Sequence, residues 1–129
     1  MDKKQKYLMP IAILLLLFII VIAGAKPMIE KNLESLKNLE IEDIDLANIE
    51  DGIYEGKYKA FPIAAEVNVT VKDHEITVIE LVKHDNGKGA SAEVITDMVI
   101  EKQTPEIDVI TGATYSSKVI LKAIENALK

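Results

Sequence analysis

The stretch Glu66–Lys83, EVNVTVKDHEITVIELVK, decides the fold of this chain. Its first half alternates valine with polar residues, which is the period-two pattern of a strand with one buried face. Asp73 and His74 then turn the chain, and residues 75–83 return as a second strand. Asp-His is a weaker two-residue turn than Asp-Gly, so the pattern leaves the turn type open. The stretch predicts an antiparallel hairpin.

Further elements flank the hairpin on both sides. Tyr54–Lys59 (YEGKYK) predicts another strand, in which Gly56 indicates a bulge or a close approach of two backbones. Residues 92–102 and Ser116–Leu128 each place apolar side chains on one helical face, and Pro105 ends the first of these helices. The terminal helix is expected to turn its polar residues outward: Lys118, Lys122, Glu125 and Asn126. A strand region followed by helices predicts an α+β fold, a small antiparallel sheet packed with helices.

The N-terminal segment has the composition of a membrane span. Leu8–Ala25 is uncharged and almost wholly apolar, and as a helix it would extend roughly 27 Å, close to the thickness of the bilayer hydrocarbon. Three lysines precede it, which favours an N-terminus in the cytoplasm. The alternative is a cleaved signal peptide, because residues 23–25 (AGA) have the small-x-small form of a processing site. Both interpretations place the rest of the chain outside the cytoplasmic membrane, and the retained form is a single-pass protein.

Three regions follow from these patterns. Residues 1–25 are the anchor or signal sequence, 26–50 an amphipathic stalk helix with an acidic linker, and 51–129 the compact domain. Apolar residues recur at three- and four-residue spacing from 26 to 40. The acidic connector 40–52 is expected to dock its apolar residues on the edge of the domain. Its acidic spacing matches no calcium loop, so no metal site is predicted.

Composition removes several classes of function. The chain has 129 residues and a formal net charge of −6, and all 15 basic residues are lysine. Without arginine it lacks the planar fork that reads phosphates and guanine, so nucleic acid is not an expected partner. Without cysteine it can hold no disulfide, thiolate metal site, covalent c-type haem or thiol nucleophile. If the protein moves electrons, an organic cofactor must carry them.

One motif near the C-terminus remains, DVITGATYSS at 108–117. Its residues have a purely structural interpretation, in which Thr114 or Ser116 caps the final helix, Gly112 supplies a left-handed or tight turn, and Asp108 caps that turn. The same glycine-bearing, hydroxyl-rich turn at the start of a helix also suits a phosphate. The local pattern does not decide between these interpretations.

The motif Asp-x-x-Thr-Gly-Ala-Thr, followed by small hydroxyl residues and an apolar helix, resembles the flavinylation motif of the FMN-binding domain family. That family includes the extracytoplasmic flavin subunits of the sodium-pumping NADH:quinone oxidoreductase and of the ion-translocating ferredoxin:NAD oxidoreductase. The segments DGIYEGKY, VTVKDHEITVIELVKH, HDNGKG and AEVITDMVIEKQTPEIDVITGATYSSKVILKAIENAL resemble successive blocks of the family. The resemblance extends from about Asp51 to Leu128.

The resemblance implies a covalent cofactor. Thr114 falls at the acceptor position, where a separate magnesium-dependent flavin transferase joins FMN to the side-chain oxygen through a phosphoester, using FAD. Asp108, Gly112 and Ala113 match the recognition residues around it, and Thr111 replaces the commoner serine. The implied role is electron transfer from a membrane donor, such as a quinone- or NADH-linked complex, to an acceptor. The resemblance implies an electron-transfer module more than a stand-alone enzyme, and no catalytic residue is assigned.

Further residues are candidates for contacts with the flavin. His84 and Lys88 both belong to the loop HDNGKG at 84–89, where they either approach the flavin or are ordinary loop side chains. Tyr115 and Ser116 adjoin the acceptor, and the tyrosine ring either packs on the flavin or in the core. Two alternative functions remain: a module that binds FMN noncovalently, and a flavin-dependent extracellular reductase.

Overall fold

The computed structural model describes residues 2–85, 94–109 and 112–129. They form three α-helices and a three-stranded antiparallel sheet, which confirms the predicted α+β class. The chain divides into two compact units, Met1–Asn32 and Leu33–Lys129. In chain order the elements are α1 (Lys3–Lys37), a 3₁₀ turn (Leu46–Asn48), β1 (Gly52–Ala60), β2 (Ile63–Lys72), β3 (Glu75–Asp85), α2 (Ile95–Lys102) and α3 (Thr114–Leu128).

The sheet has the order β1-β2-β3, and the predicted hairpin is β2 and β3. Lys72 pairs with Glu75 across the turn, where Asp73 and His74 have φ values of 51° and 63°. Two successive positive φ angles are those of a type I′ turn, whose twist matches that of the flanking strands. The dipeptide therefore adopts the conformation that Asn-Gly usually supplies.

One face of the sheet packs against α3 to form the core. Alternate residues of β2 from Ile63 to Val71 are buried, as the period-two pattern predicts. At Gly56 in β1 the sheet and the helix meet, because a Cβ built there would lie 2.0 Å from the Ala123 carbonyl oxygen and 2.6 Å from the Cβ of Ala127. The predicted close approach at this glycine is confirmed.

A glutamine side chain joins α2 to β3. Gln103 follows the last residue of α2 with φ 57° and ψ 32°, a left-handed helix end. Its side-chain oxygen accepts from the Ile76 amide (2.7 Å), and its side-chain nitrogen donates to the Ile76 carbonyl (2.8 Å) and the Ile100 carbonyl (2.6 Å). The side chain thus makes the pair of bonds that a neighbouring strand would make, and it fixes the end of α2 beside the start of β3.

The N-terminal helix is longer than the sequence indicates. α1 runs without interruption from Lys3 to Lys37, so the predicted amphipathic segment is a continuation of the apolar helix and not a separate element. Pro27 removes only one backbone hydrogen bond, and good helix formers follow it. With a mean hydropathy of 3.0 over 18 residues, α1 is long and apolar enough to span a membrane.

The connector between α1 and β1 covers the polar face of α3. Ile41 and Ile44 pack against the core, as predicted for the apolar residues of the segment 40–52, and Leu39 just before them packs there as well. The expectation that Glu125 lies outside is wrong, because its exposed fraction is 0%. The connector shields this carboxylate and donates the amide of Glu42 to it at 3.3 Å.

Candidate functional site

The start of α3 is built from a turn and a short cap. Gly112 has φ 84°, and among the described residues other than its chain neighbours no heavy atom lies within 4 Å of the position where a Cβ would project. Ala113 is the N-cap residue and is buried, and Thr114 is the first residue of the helix and half-buried. The first helical hydrogen bond joins the Ser117 amide to the Ala113 carbonyl at 2.9 Å. The backbone N–H groups of Thr114 and Tyr115 precede this bond and therefore have no helical carbonyl four residues before them.

The capping roles predicted for Thr114 and Ser116 are wrong. α3 begins two residues earlier than the apolar pattern indicates, so Thr114 and Ser116 lie inside the helix. The cap position belongs to Ala113, whose methyl group accepts no hydrogen bond. The left-handed conformation predicted for Gly112 is confirmed. Thr114 is thus not required to end the turn.

Helical periodicity assigns Thr114 to a particular face of α3. Residues four and three apart share a face, so Thr114, Lys118, Lys122 and Glu125 form one stripe, which we call the polar stripe. The opposite face carries Ala123 and Ala127, which meet the sheet at Gly56. Thr114 therefore lies on the side of α3 that the connector covers, away from the sheet.

Hydrogen bonds hold the polar stripe to the connector, and ion pairs link Glu125 to lysines at the C-terminal end of the chain. The Lys118 ammonium donates to the Leu39 carbonyl at 2.6 Å, and Glu125 pairs with Lys122 at 3.0 Å and with Lys129 at 2.8 Å. Burial by itself raises the pKa of Glu125. Hydrogen bonds from Lys129, Lys122 and the Glu42 amide together outweigh burial and hold this pKa below its usual value.

A cleft of about 660 Å³ borders the stripe next to Lys118. Its walls are Lys37 at the end of α1, the connector from Asn38 to Asp43, the segment Glu106–Ile107 and Lys118 itself. Four carboxylates and two ammonium groups line it, so its formal charge is −2: Glu40, Glu42, Asp43 and Glu106 against Lys37 and Lys118. An additional anion at this position would require a cation close by.

The other predicted site residues lie on several elements. Asp108 is exposed in the extended segment before α3 and lines a second cleft of about 500 Å³ beside Met98 and Lys102. His84 is half-buried near the end of β3, in register with Ala65 on the core face. Tyr115 packs against the core, and Ser116 is buried. Thr111 and Lys88 lie outside the described residues.

The structure brings Gly112, Ala113 and Thr114 together at the start of α3, whereas Asp108 and His84 belong to other elements. Sequence reasoning missed the part that Lys118 and Glu125 play at this helix. The four-residue spacing from Thr114 to Lys118 was the available signal. Within the ranges described, no group of three or more His, Asp or Glu residues is placed to hold a metal ion.

Comparison with known proteins gives a family match. The FMN-binding domain family matches residues 62–129, more than half of the chain. An uncharacterized protein of Treponema pallidum (strain Nichols) is 28% identical over 86 residues, which cover 64% of this chain and 24% of that protein. The NADH:acrylate oxidoreductase of Vibrio harveyi is 32% identical over 102 residues, 74% of this chain and 10% of that protein. The chain thus spans about a quarter and a tenth of these relatives, and no solved structure matches it.

Proposed function

Since the chain belongs to the FMN-binding domain family, we propose that it is a membrane-anchored electron carrier whose FMN is esterified to Thr114. The domain would lie on the extracytoplasmic side of the cytoplasmic membrane and relay electrons from a membrane donor to an acceptor. The observation that carries this proposal is the position of Thr114, in the first turn of α3 and two residues after the left-handed Gly112.

The residues at the start of α3 fit a phosphate ester. The backbone N–H groups of the first turn and the positive end of the helix dipole favour a negative charge there. Gly112 leaves open space toward the described part of the chain, where no heavy atom beyond its two chain neighbours lies within 4 Å of the position of a Cβ. Thr114 projects from the polar stripe and away from the packed sheet, which leaves its hydroxyl outside the core.

Attachment of the flavin requires a second enzyme. A threonine hydroxyl is a weak nucleophile and needs a base or a metal to attack. The described neighbours on the polar stripe are Lys118 and Lys122, whose side chains donate hydrogen bonds, and Glu125, whose charge is engaged by lysines. The proposed transferase would supply the base and the magnesium. The Thr114 oxygen would then displace AMP from the FMN phosphorus of FAD, and its proton would pass to that base.

When bound, FMN would accept and return electrons, and the protein would hold it at the membrane surface. A covalent link makes the effective concentration of the cofactor independent of dilution outside the cell. α1 has the length and hydropathy of a tether. Because this chain spans only a tenth of the NADH:acrylate oxidoreductase, the match supports a shared flavin domain more than a shared substrate site.

Mass spectrometry tests the attachment. The full chain is produced with and without a magnesium-dependent flavin transferase, and the peptide containing residues 108–118 is weighed. We expect a gain of FMN minus water that needs the transferase, survives Thr111→Ala and Thr114→Ser, and disappears in Thr114→Ala. Thr111→Ala is the matched control, since it removes the other threonine of the motif. An unmodified peptide from protein that releases FMN on denaturation would instead establish noncovalent binding.

A further inference from the structure

The two lysines of the polar stripe and the neighbouring Lys129 differ in what they contact. The ammonium groups of Lys122 and Lys129 each lie within 3.0 Å of a carboxylate oxygen of Glu125. Lys118 donates to the carbonyl oxygen of Leu39 at 2.6 Å, a neutral acceptor. Among the described residues of the stripe, Lys118 is therefore the cation whose charge no carboxylate balances at salt-bridge distance.

Of the two lysines of the polar stripe, Lys118 is the nearer to the proposed attachment point along the helix. It follows Thr114 by four residues on one helix, a spacing that brings Cβ atoms to about 5–6 Å. Lys122 is eight residues from Thr114, a rise of roughly 12 Å along the helix. The flexible lysine stem lets the Lys118 ammonium reach a group attached to the Thr114 oxygen.

The surroundings make such a cation necessary. The cleft beside Lys118 has a formal charge of −2, and a phosphodiester on Thr114 would add another negative charge. Like charges that close together in a half-buried setting are unfavourable unless an opposite charge lies between them. Lys118 is the lysine that α3 contributes to this cleft.

We propose that Lys118 is the counter-charge for the phosphate carried by Thr114. This inference rests on the proposed function. The bond to Leu39 is compatible with it, because an ammonium group has three N–H donors and needs only one for the carbonyl. Leu39 thus positions the side chain in advance, which lowers the entropy cost of the new contact.

The test compares the thermal stability of loaded and unloaded protein. The full chain in detergent micelles is prepared with and without the transferase, the loaded fraction is isolated, and its loading is verified by intact mass. Tm is measured by circular dichroism for the wild type and for Lys118→Gln, Lys118→Arg and Lys72→Gln. Comparing each variant with its own unloaded form cancels the direct cost of losing the Leu39 contact.

We expect loading to raise the Tm of the wild type, and about 2 to 4 °C of that rise to be lost in Lys118→Gln. Lys118→Arg keeps the charge and should keep the rise, and high salt should reduce it in the wild type. Lys72→Gln removes an exposed lysine at the end of β2 and should leave the rise unchanged.

An equal rise in loaded wild type and loaded Lys118→Gln would overturn this inference and leave attachment to Thr114 intact. A wild-type protein that carries no FMN on Thr114 in the presence of the transferase would remove the proposed function as well. Intact mass and Tm therefore separate the two failures.

Discussion

The contact between β1 and α3 at Gly56 predicts a large effect of a single methyl group. In Gly56→Ala the new Cβ would lie 2.0 Å from the Ala123 carbonyl oxygen and 2.6 Å from the backbone nitrogen of Ala127. Both are backbone atoms of a helix, so no side-chain rotation relieves the overlap. An ordinary carbon–oxygen contact is about 3.3 Å, so the strand and the helix would have to separate by roughly 1.3 Å.

The cost of this separation follows from the packing around it. Three side chains of α3 are fully buried in the core: Val119, Ile120 and Ile124. A gap of about 1 Å already forfeits a quarter to a half of each van der Waals contact. Overpacking alone costs about 1 to 3 kcal/mol, and the lost contacts bring the expected loss to about 3 kcal/mol or more. That is a large fraction of the about 5 to 15 kcal/mol that holds a domain together.

Gly52→Ala is the matched control for this variant. Gly52 lies on the same strand, and the nearest heavy atoms to its added Cβ would belong to Tyr54, from 3.6 Å, an ordinary contact distance. We expect this control to change the free energy of unfolding by less than about 0.5 kcal/mol. Urea unfolding of both full-length variants in detergent, followed by circular dichroism, measures the difference. If Gly56→Ala lies within about 1 kcal/mol of Gly52→Ala, the inferred backbone contact is refuted.

Two further changes probe the contacts that hold α2 and α3. The folded-state pKa of Glu125 is depressed, so its contribution is complete above the unfolded value of about 4.3 and is lost as the pH falls through the folded value. In Glu125→Gln the free energy of unfolding, measured by urea titration, should therefore fall less steeply than in the wild type as the pH drops below about 4.3. An equally steep fall in both proteins would contradict the depressed pKa of Glu125. Gln103→Met removes three hydrogen bonds to Ile76 and Ile100 at similar side-chain length and should lower the free energy of unfolding by about 1 to 3 kcal/mol. A loss below about 0.5 kcal/mol would show that water replaces the glutamine.

The sheet could be predicted because its signal is local. The alternation from Glu66 to Lys72 requires only that one face be buried, and the buried residues of β2 follow it. The close approach at Gly56 could also be predicted, because a glycine within a strand pattern lacks the side chain that would keep another backbone away. Neither inference needed to know which helix would cover the sheet.

The polar face of α3 could not be predicted because its environment comes from distant residues. Lysines and a glutamate at helical spacing are typical of a solvated face. Here Glu125 accepts from the amide of Glu42, 83 positions earlier in the chain. Burial of that carboxylate is tolerated only because lysines and the amide compensate its desolvation. Periodicity reports which side chains share a face, but it does not report what lies against that face.

The proposed acceptor site combines both kinds of information. The motif identifies Thr114 by resemblance, yet its role depends on whether the helix begins before or after it, a boundary that sequence patterns locate only within a few residues. With Ala113 as the cap, Thr114 joins the polar stripe one turn before Lys118. The connector then determines its surroundings, because Leu39 holds Lys118 and the acidic residues of the connector line the adjacent cleft. A segment that resembles a solvated linker in sequence thus sets the electrostatics at the residue proposed to carry the flavin, whereas the roles of Asp108 and His84 stay predictions.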